Sequence, residues 1–522
     1  MSEPAGLGPR RFLLSAAVIG ATLLCLDGVS RNAVAGTAEA LELLRQRHEA
    51  RRTEFVSQLR ALAGEVDESG DAARAHGLKR LALQVEQQSL DLDELPETYR
   101  GTAGTTDEFE EQLWHLQEEY AADVYLLSRR AVRGGFPSYA FHLVREVAHH
   151  DPDHRRAREL LGYVRYGDTW TTPFAASMQR KNFQWHDRFG WLPASHVEKY
   201  EEGLRLFNGR WMDAETEARH RTDFDNAWEI PTEHFLIVTN HSLERGVELG
   251  QALEDFHRFF VRELAAFFNT PQQMQKLFDG GSAAVRGAGS RHIIHFYRNR
   301  QEFVLRLQRK QPNVAISNGL YLPSDRIAYF YHRPEDPQAN METMYHEVTH
   351  QLLGESVRRT PDVGRDADFW LVEGIACYME SFRRENGELT AGDPDHVRIY
   401  WAREYALRQD FIVPMQRLTQ MGMREFRLGG DVATLQRYYA QSAGMTHFFM
   451  HYRDGIYREA LIEHLARMYS PDARVRRRAT TIAELAGVSF ETLDQQYLEH
   501  LRTLDAMVDA RDAAGPGEPA VP

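Results

Sequence analysis

His346-Glu347-Val348-Thr349-His350 constrains this chain more tightly than any other stretch. Two histidines four apart lie on one face of a helix, about one turn from each other, so both imidazoles can reach one metal ion. Zinc binds such nitrogens at about 2.0–2.1 Å and accepts a carboxylate oxygen as a third protein ligand. Glu347, one residue round the helix from His346, is aimed beside the metal, where a general base for an activated water must stand. The third ligand has to come from another element, and Glu373 is the natural candidate.

The surroundings support a helix. The sequence predicts one from Asn340 to Leu353, with Pro337 before it, Asn340 as N-cap and Gly354 where a helix commonly stops. Met344, Val348 and Leu352 recur every four residues and predict a buried stripe beside the two histidines. A second helix, about Asp368 to Arg383, carries Glu373 among Trp370, Leu371, Ile375 and Ala376. A carboxylate among so many apolar neighbours is costly to bury unless it is paired or binds a metal.

These two segments resemble the gluzincin superfamily of zinc metallopeptidases, in which a second helix donates a glutamate to the metal. Trp370-Leu371-Val372-Glu373-Gly374-Ile375-Ala376 is similar to that helix in aminopeptidase-N-like enzymes. With Cys377-Tyr378-Met379-Glu380-Ser381 and Tyr438-Tyr439-Ala440-Gln441-Ser442 added, the pattern resembles bacterial peptidase-MA-like proteins. The likeness is specific over Met341 to Ser381, looser to about Arg502, and silent on the first half. It implies His346, His350 and Glu373 as ligands, Glu347 as base and a tyrosine on the later helix as oxyanion donor. Tyr439 is the first choice for that donor, with Tyr438 and His447 in reserve.

Two departures bear on function. The aminopeptidase Gly-x-Met-Glu-Asn segment, which holds a substrate's free amine, is absent, and Asn340-Met341-Glu342 does not replace it. Thermolysin-like enzymes carry an aspartate four residues after the ligand glutamate to orient a histidine, whereas Cys377 stands there in this chain. A ligating histidine normally needs such an outer partner. Glu380 and Asp368 are the candidates, and Cys377 reads as a small packing residue.

A net charge of −14 argues against nucleic acid as the main partner. Arg10-Arg11 precede an uncharged, mostly apolar run from Phe12 to Leu26, and Ala33-Val34-Ala35 offers a cleavage site before Gly36. As a helix this run spans about 22 Å, short of the roughly 30 Å hydrocarbon core. The expectation is a cleaved signal peptide over residues 1–35 and a periplasmic or secreted protein, held to a membrane only if that segment stays. Cleavage removes Cys25 and leaves Cys377 alone, so no disulfide forms within the mature chain.

Helical periodicity marks Thr37 to about Leu62, Ala72–Leu90, Thr106–Arg130 and Ser138–His149. The stretch from His149 to Tyr163 resembles a tetratricopeptide-type turn, a single unit where solenoids need at least three. His142, His149, His150 and His154 read as polar surface. Residues 166–230 are a Trp-rich connection in which glycine turns suggest short hairpins; packing is the ordinary role of these tryptophans, a carbohydrate-stacking face the alternative. From residue 231 strands appear at Phe235–Thr239, His292–Tyr297, Gly319–Leu322 and Arg326–Tyr331. The last strand before the histidine helix is expected to border the cleft and to pair with an extended peptide.

The fold class is therefore α+β. A helical region (36–165) and the Trp-rich connection (166–230) precede a zincin-like domain (231–510) of small sheet, ligand helix, second ligand helix and helical C-terminal part, with a disordered tail at 511–522. The expected function is peptide-bond hydrolysis, as an endopeptidase, by one zinc ion per chain on a peptide or protein substrate. Two alternatives stay open: a non-catalytic zinc-containing scaffold that recruits a protein partner through the N-terminal helices, and a zinc hydrolase of a non-peptide amide such as a cell-wall crosslink. A purely structural zinc usually has four protein ligands and needs no base, which weighs against the scaffold.

Overall fold

Short polar side chains start the helices of the first region. Thr37, Asp71 and Asp107 each accept a hydrogen bond from a first-turn backbone N–H, beginning α1 (Ala38–Glu68), α2 (Ala72–Glu86) and α3 (Glu108–Arg133). Those donors have no partner within the helix itself. Pro137 occupies the first turn of α4 (Pro137–His150), where its missing N–H costs nothing. His154 caps α5 (Arg155–Leu160), which follows the Asp151-Pro152-Asp153 turn. This is a computed structural model describing residues 37–96, 107–281, 291–356, 362–385, 387–477 and 480–514. The expected signal peptide lies outside the described residues, and Val34–Pro522 form one unit.

Leu41, Leu44, Phe55 and Leu59 of α1 share a core with Val124, Leu143 and Val144, and this core also takes in Ala265, Met274 and Phe278 from later in the chain. His150 departs from the sequence reading. It is fully buried, edge-on to Phe55 and Tyr120, because α4 presents nearly its whole circumference to neighbours.

The Trp-rich region forms hairpins, each followed by a helix, three times over. The units are β1 (Val164–Tyr166) and β2 (Thr169–Thr171) with α6 (Pro173–Arg180), β3 (Phe183–His186) and β4 (Gly190–Pro193) with α7 (Val197–Glu201), and β5 (Leu204–Phe207) and β6 (Arg210–Asp213) with α8 (Ala214–Arg221). Trp185 meets Trp191 edge to face, and Trp211 packs on His196 and Tyr200.

A five-stranded sheet follows. In chain order its elements are β7 (Trp228–Pro231), β8 (Phe235–Thr239), α9 (Leu243–Glu263), α10 (Ala265–Phe268), α11 (Pro271–Phe278), β9 (His292–Tyr297), α12 (Arg300–Leu307), β10 (Gly319–Leu322) and β11 (Ile327–Tyr331). The spatial order is β10-β11-β9-β8-β7, with β8–β9 and β9–β11 parallel and the outer pairs antiparallel. Parallel neighbours require long crossovers, which the intervening helices supply. One expectation is corrected: β11, the last strand before the histidine helix, is interior, and its hairpin partner β10 forms the edge.

The remainder is α13 (Pro337–Glu355), α14 (Phe369–Met379), a hairpin of β12 (Arg383–Glu385) and β13 (Glu388–Thr390), then α15 (Val397–Arg403), α16 (Met415–Thr419), α17 (Met423–Leu428), α18 (Val432–His451), α19 (Arg458–Met468), α20 (Ala473–Arg477), α21 (Ile482–Ala486) and α22 (Phe490–Ala514). Asp336 caps α13 in place of Asn340, because Pro337 occupies the first turn, and the helix runs through Gly354 to Glu355. The second ligand helix stops at Met379 rather than Arg383, since the chain turns there into the β12–β13 hairpin. Arg511–Ala514, expected in the tail, complete α22. Among the described residues no helix is long and apolar enough to cross a membrane.

Met344, Val348 and Leu352 of α13 join Ile237, Ile294 and Phe330 of the sheet and Trp370 and Ile375 of α14 in the main core. Gly374 explains how α14 reaches α18. A Cβ there would stand 2.6 Å from Thr446 Oγ1 and 2.7 Å from the Ser442 carbonyl oxygen. Backbone cannot give way as a side chain can. Gly374→Ala is expected to destabilise the fold by about 1–3 kcal/mol, the usual cost of overpacking; an unshifted denaturant midpoint would contradict this packing.

Candidate metal centre

Helical spacing brings His346 and His350 to one face of α13, and α14 lays Glu373 against them. His346 Nε2 and His350 Nε2 are 3.2 Å apart, and Glu373 Oε2 lies 3.6 Å from the first and 3.8 Å from the second. Ligands of a tetrahedral zinc at the usual bond lengths stand about 3.4 Å from one another. The three atoms thus enclose a point with the spacing such an ion needs. Both histidines are half-buried, while Glu373 is only 3% exposed, so the centre is anchored inside and open on the histidine side.

Two arginines unforeseen from the sequence complete the surroundings. Arg427 of α17 donates to Glu373 Oε1 at 2.9 Å, leaving Oε2 for the histidines. Burial alone would raise the Glu373 carboxyl, but His346, His350 and Arg427 outweigh it and hold the group down at about 2. His346 Nδ1 bonds Glu380 Oε1 at 2.8 Å, and Arg398 of α15 grips both Glu380 oxygens at 2.8 and 2.9 Å. Glu380 is therefore the outer partner of the first histidine. The other candidate, Asp368, bonds Trp370 Nε1 and pairs with His464 instead. Neither arginine had a legible signal, because each contact spans a sequence separation without local pattern.

His346, Cys377 and Glu380 also lie close enough to hold an ion. The Arg398 guanidinium already occupies both oxygens of that glutamate and would repel a second cation there, which makes this the outer side of the centre. Cys377 is fully buried and packs with Ile399, Ala443 and Leu504, as a small core residue.

Glu347 is half-buried beside the ligands, and its Oε2 accepts the Tyr321 backbone N–H at 2.8 Å. That donor belongs to edge strand β10. Burial pushes the Glu347 carboxyl up to about 7, against the pull of His346 and the Tyr321 amide. A carboxyl poised there can both take and return a proton near neutral pH.

Of the three oxyanion candidates, Tyr439 alone is coupled to the ligand set. Its phenol lies within electrostatic reach of Glu373, Arg427 and His346, and burial holds it protonated far above its ordinary range. Tyr438 packs on Phe411 and Phe426. His447 is engaged at both ring nitrogens, by His500 at 2.8 Å and the Gly392 carbonyl at 2.9 Å.

Glu380→Gln keeps the shape of the outer partner but removes its charge. It is expected to weaken zinc binding about 10- to 100-fold, measured by competition with a chelator of known affinity; wild-type affinity would mean the contact does not tune the ligand.

Comparison with family models, with curated proteins and with solved structures finds no match for this chain.

Proposed function

We propose that this chain is a zinc-dependent peptidase of the gluzincin kind that cleaves bonds within peptides or proteins. The observation that carries the reading is the convergence of His346 Nε2, His350 Nε2 and Glu373 Oε2 with Glu347 alongside. Two imidazoles and a carboxylate also suit other first-row metals. A base beside the ligands favours the hydrolytic metal, zinc.

When bound, zinc supplies a Lewis acid that lowers the pKa of a water toward 7 and polarises a carbonyl. Glu347 takes the proton of the attacking water and passes it to the leaving amine. Tyr439, kept as a neutral phenol, donates a hydrogen bond to the carbonyl oxygen as negative charge develops on it. Arg427 fixes the carboxylate face of Glu373, and Glu380 with Arg398 fixes the ring of His346. Edge strand β10 lies beside Glu347 and offers backbone groups along which an extended substrate can align.

Lack of the amine-holding motif favours endopeptidase action. Peptides with acetylated N-termini are expected to be cleaved internally at least as fast as free ones, with activity lost to a chelator and restored by zinc. A strict requirement for a free amine would overturn the endopeptidase reading. Zinc-loaded protein inert on a mixed peptide library would overturn the peptidase itself. Export rests on residues 1–35, which lie outside the described residues.

A further inference from the structure

We propose that His234, Glu254 and His257 form a second site for a divalent first-row transition cation, zinc foremost, independent of the centre on α13 and α14. One ligand atom from each lies within 4.8 Å of the others. His234 stands in the turn between β7 and β8, and Glu254 and His257 lie three apart on α9. Residues three apart on a helix share a face, so the helix offers a carboxylate and an imidazole to the same turn.

The carboxylate is held in place. Glu254 Oε1 accepts the Thr232 hydroxyl and the His234 backbone N–H, each at 2.6 Å, which leaves Oε2 facing His234 Nδ1 at 2.7 Å. The His234 and His257 rings stack with centroids 3.7 Å apart and planes 19° from parallel, so one ring must turn for both nitrogens to face the same ion. Phe235 walls His257 edge-on. The His234 side chain is 43% exposed, so a cation has a way in.

Charge gives the cluster its direction. Glu373 and Glu380 each have an arginine. Among the described residues the one ionisable group paired with Glu254 is the His234 imidazole. A carboxylate and two imidazoles make a donor set of net negative charge when both rings are neutral. Oxygen and nitrogen ligands of one zinc stand about 3.4 Å apart, so His234 and Glu254 must part by about 0.7 Å as the ion replaces the proton they share. With Nδ1 on the ion, the neutral ring carries its N–H on Nε2 instead, and water completes the coordination. The ion clips the β7–β8 turn to α9, next to His292, whose Nδ1 bonds Glu355 at the end of α13 at 3.0 Å.

The test is zinc titration of metal-stripped full-length protein by calorimetry, with folding checked by circular dichroism. Wild type is expected to take up two equivalents. His257→Ala should lose one of them, and His350→Ala the other. His234→Asn, at an exposed turn, is the second variant should His257→Ala fail to fold. A folded His257→Ala or His234→Asn protein that binds as much zinc as wild type overturns the second site. So does a wild type whose whole uptake disappears in His350→Ala. If the α13 centre held no zinc at all, the equivalent lost in His257→Ala would still be seen, so failure of one site is distinguishable from failure of the other.

Discussion

Glu347→Gln is expected to leave zinc content and thermal midpoint near wild type and to lower peptide hydrolysis by about 10²-fold or more, the usual scale for losing a positioned base. The amide matches the carboxylate in size and can still accept the Tyr321 N–H through its carbonyl oxygen. It cannot take up a proton. Because the side chain lies beside the ligand atoms rather than among them, removing its charge separates binding from chemistry. Full activity in the variant would show that Glu347 is not the base. Wild type and variant that both hold zinc and are equally inert on every peptide offered would favour the scaffold alternative.

His346→Ala and His350→Ala are expected to abolish activity and to lose the zinc of the α13 centre. With one imidazole gone only two protein ligands remain, one of them a glutamate already claimed on its other oxygen by Arg427. His346→Ala has a further effect: it deprives buried Glu380 of its imidazole partner, leaving Arg398 alone to balance it. Metal analysis after gel filtration reads the loss, and retention of the wild-type amount in either variant would remove the premise of the mechanism. The expected order of stability is His350→Ala above His346→Ala, since the former loses one 3.8 Å contact with buried Glu373, whereas the latter loses a contact with Glu373 and a 2.8 Å bond to buried Glu380 as well.

Much of this arrangement was legible in the chain because it is local. The i, i+4 histidines, the stripe Met344-Val348-Leu352, the hairpins and the helix around Glu373 are written in short-range periodicity. Helix ends read less well: Asp336 rather than Asn340 caps α13 because Pro337 fixes where the first turn lies. The interior placement of β11 depends on how a hairpin folds back onto a sheet, which alternation does not encode. Arg398, Arg427 and the Tyr321 amide reach the site only through tertiary packing. The sequence leaves Glu380 and Asp368 both open as the outer partner, and the choice needs the direction in which α14 ends: Glu380 reaches His346, while Asp368 pairs with His464. Histidine is more often wet, whereas the burial of His150 comes from α1 and α3, whose Phe55 and Tyr120 close on its ring.

The paired arginines bear on the whole of the proposed catalytic cycle. Arg427 cancels Glu373 and Arg398 cancels Glu380, so a divalent ion at the centre is opposed by Glu347 alone. The result is a pocket with about one positive charge to spare, set in a chain of net charge −14. A neutral peptide bond gains little from such a field on arrival, but hydrolysis converts it into a carboxylate, which the field attracts. The acid fragment is then the tighter ligand and the slower to leave. On the proposed peptidase reading, release of the new C-terminus, rather than bond breaking, is expected to set turnover, and added salt to speed it by screening that attraction.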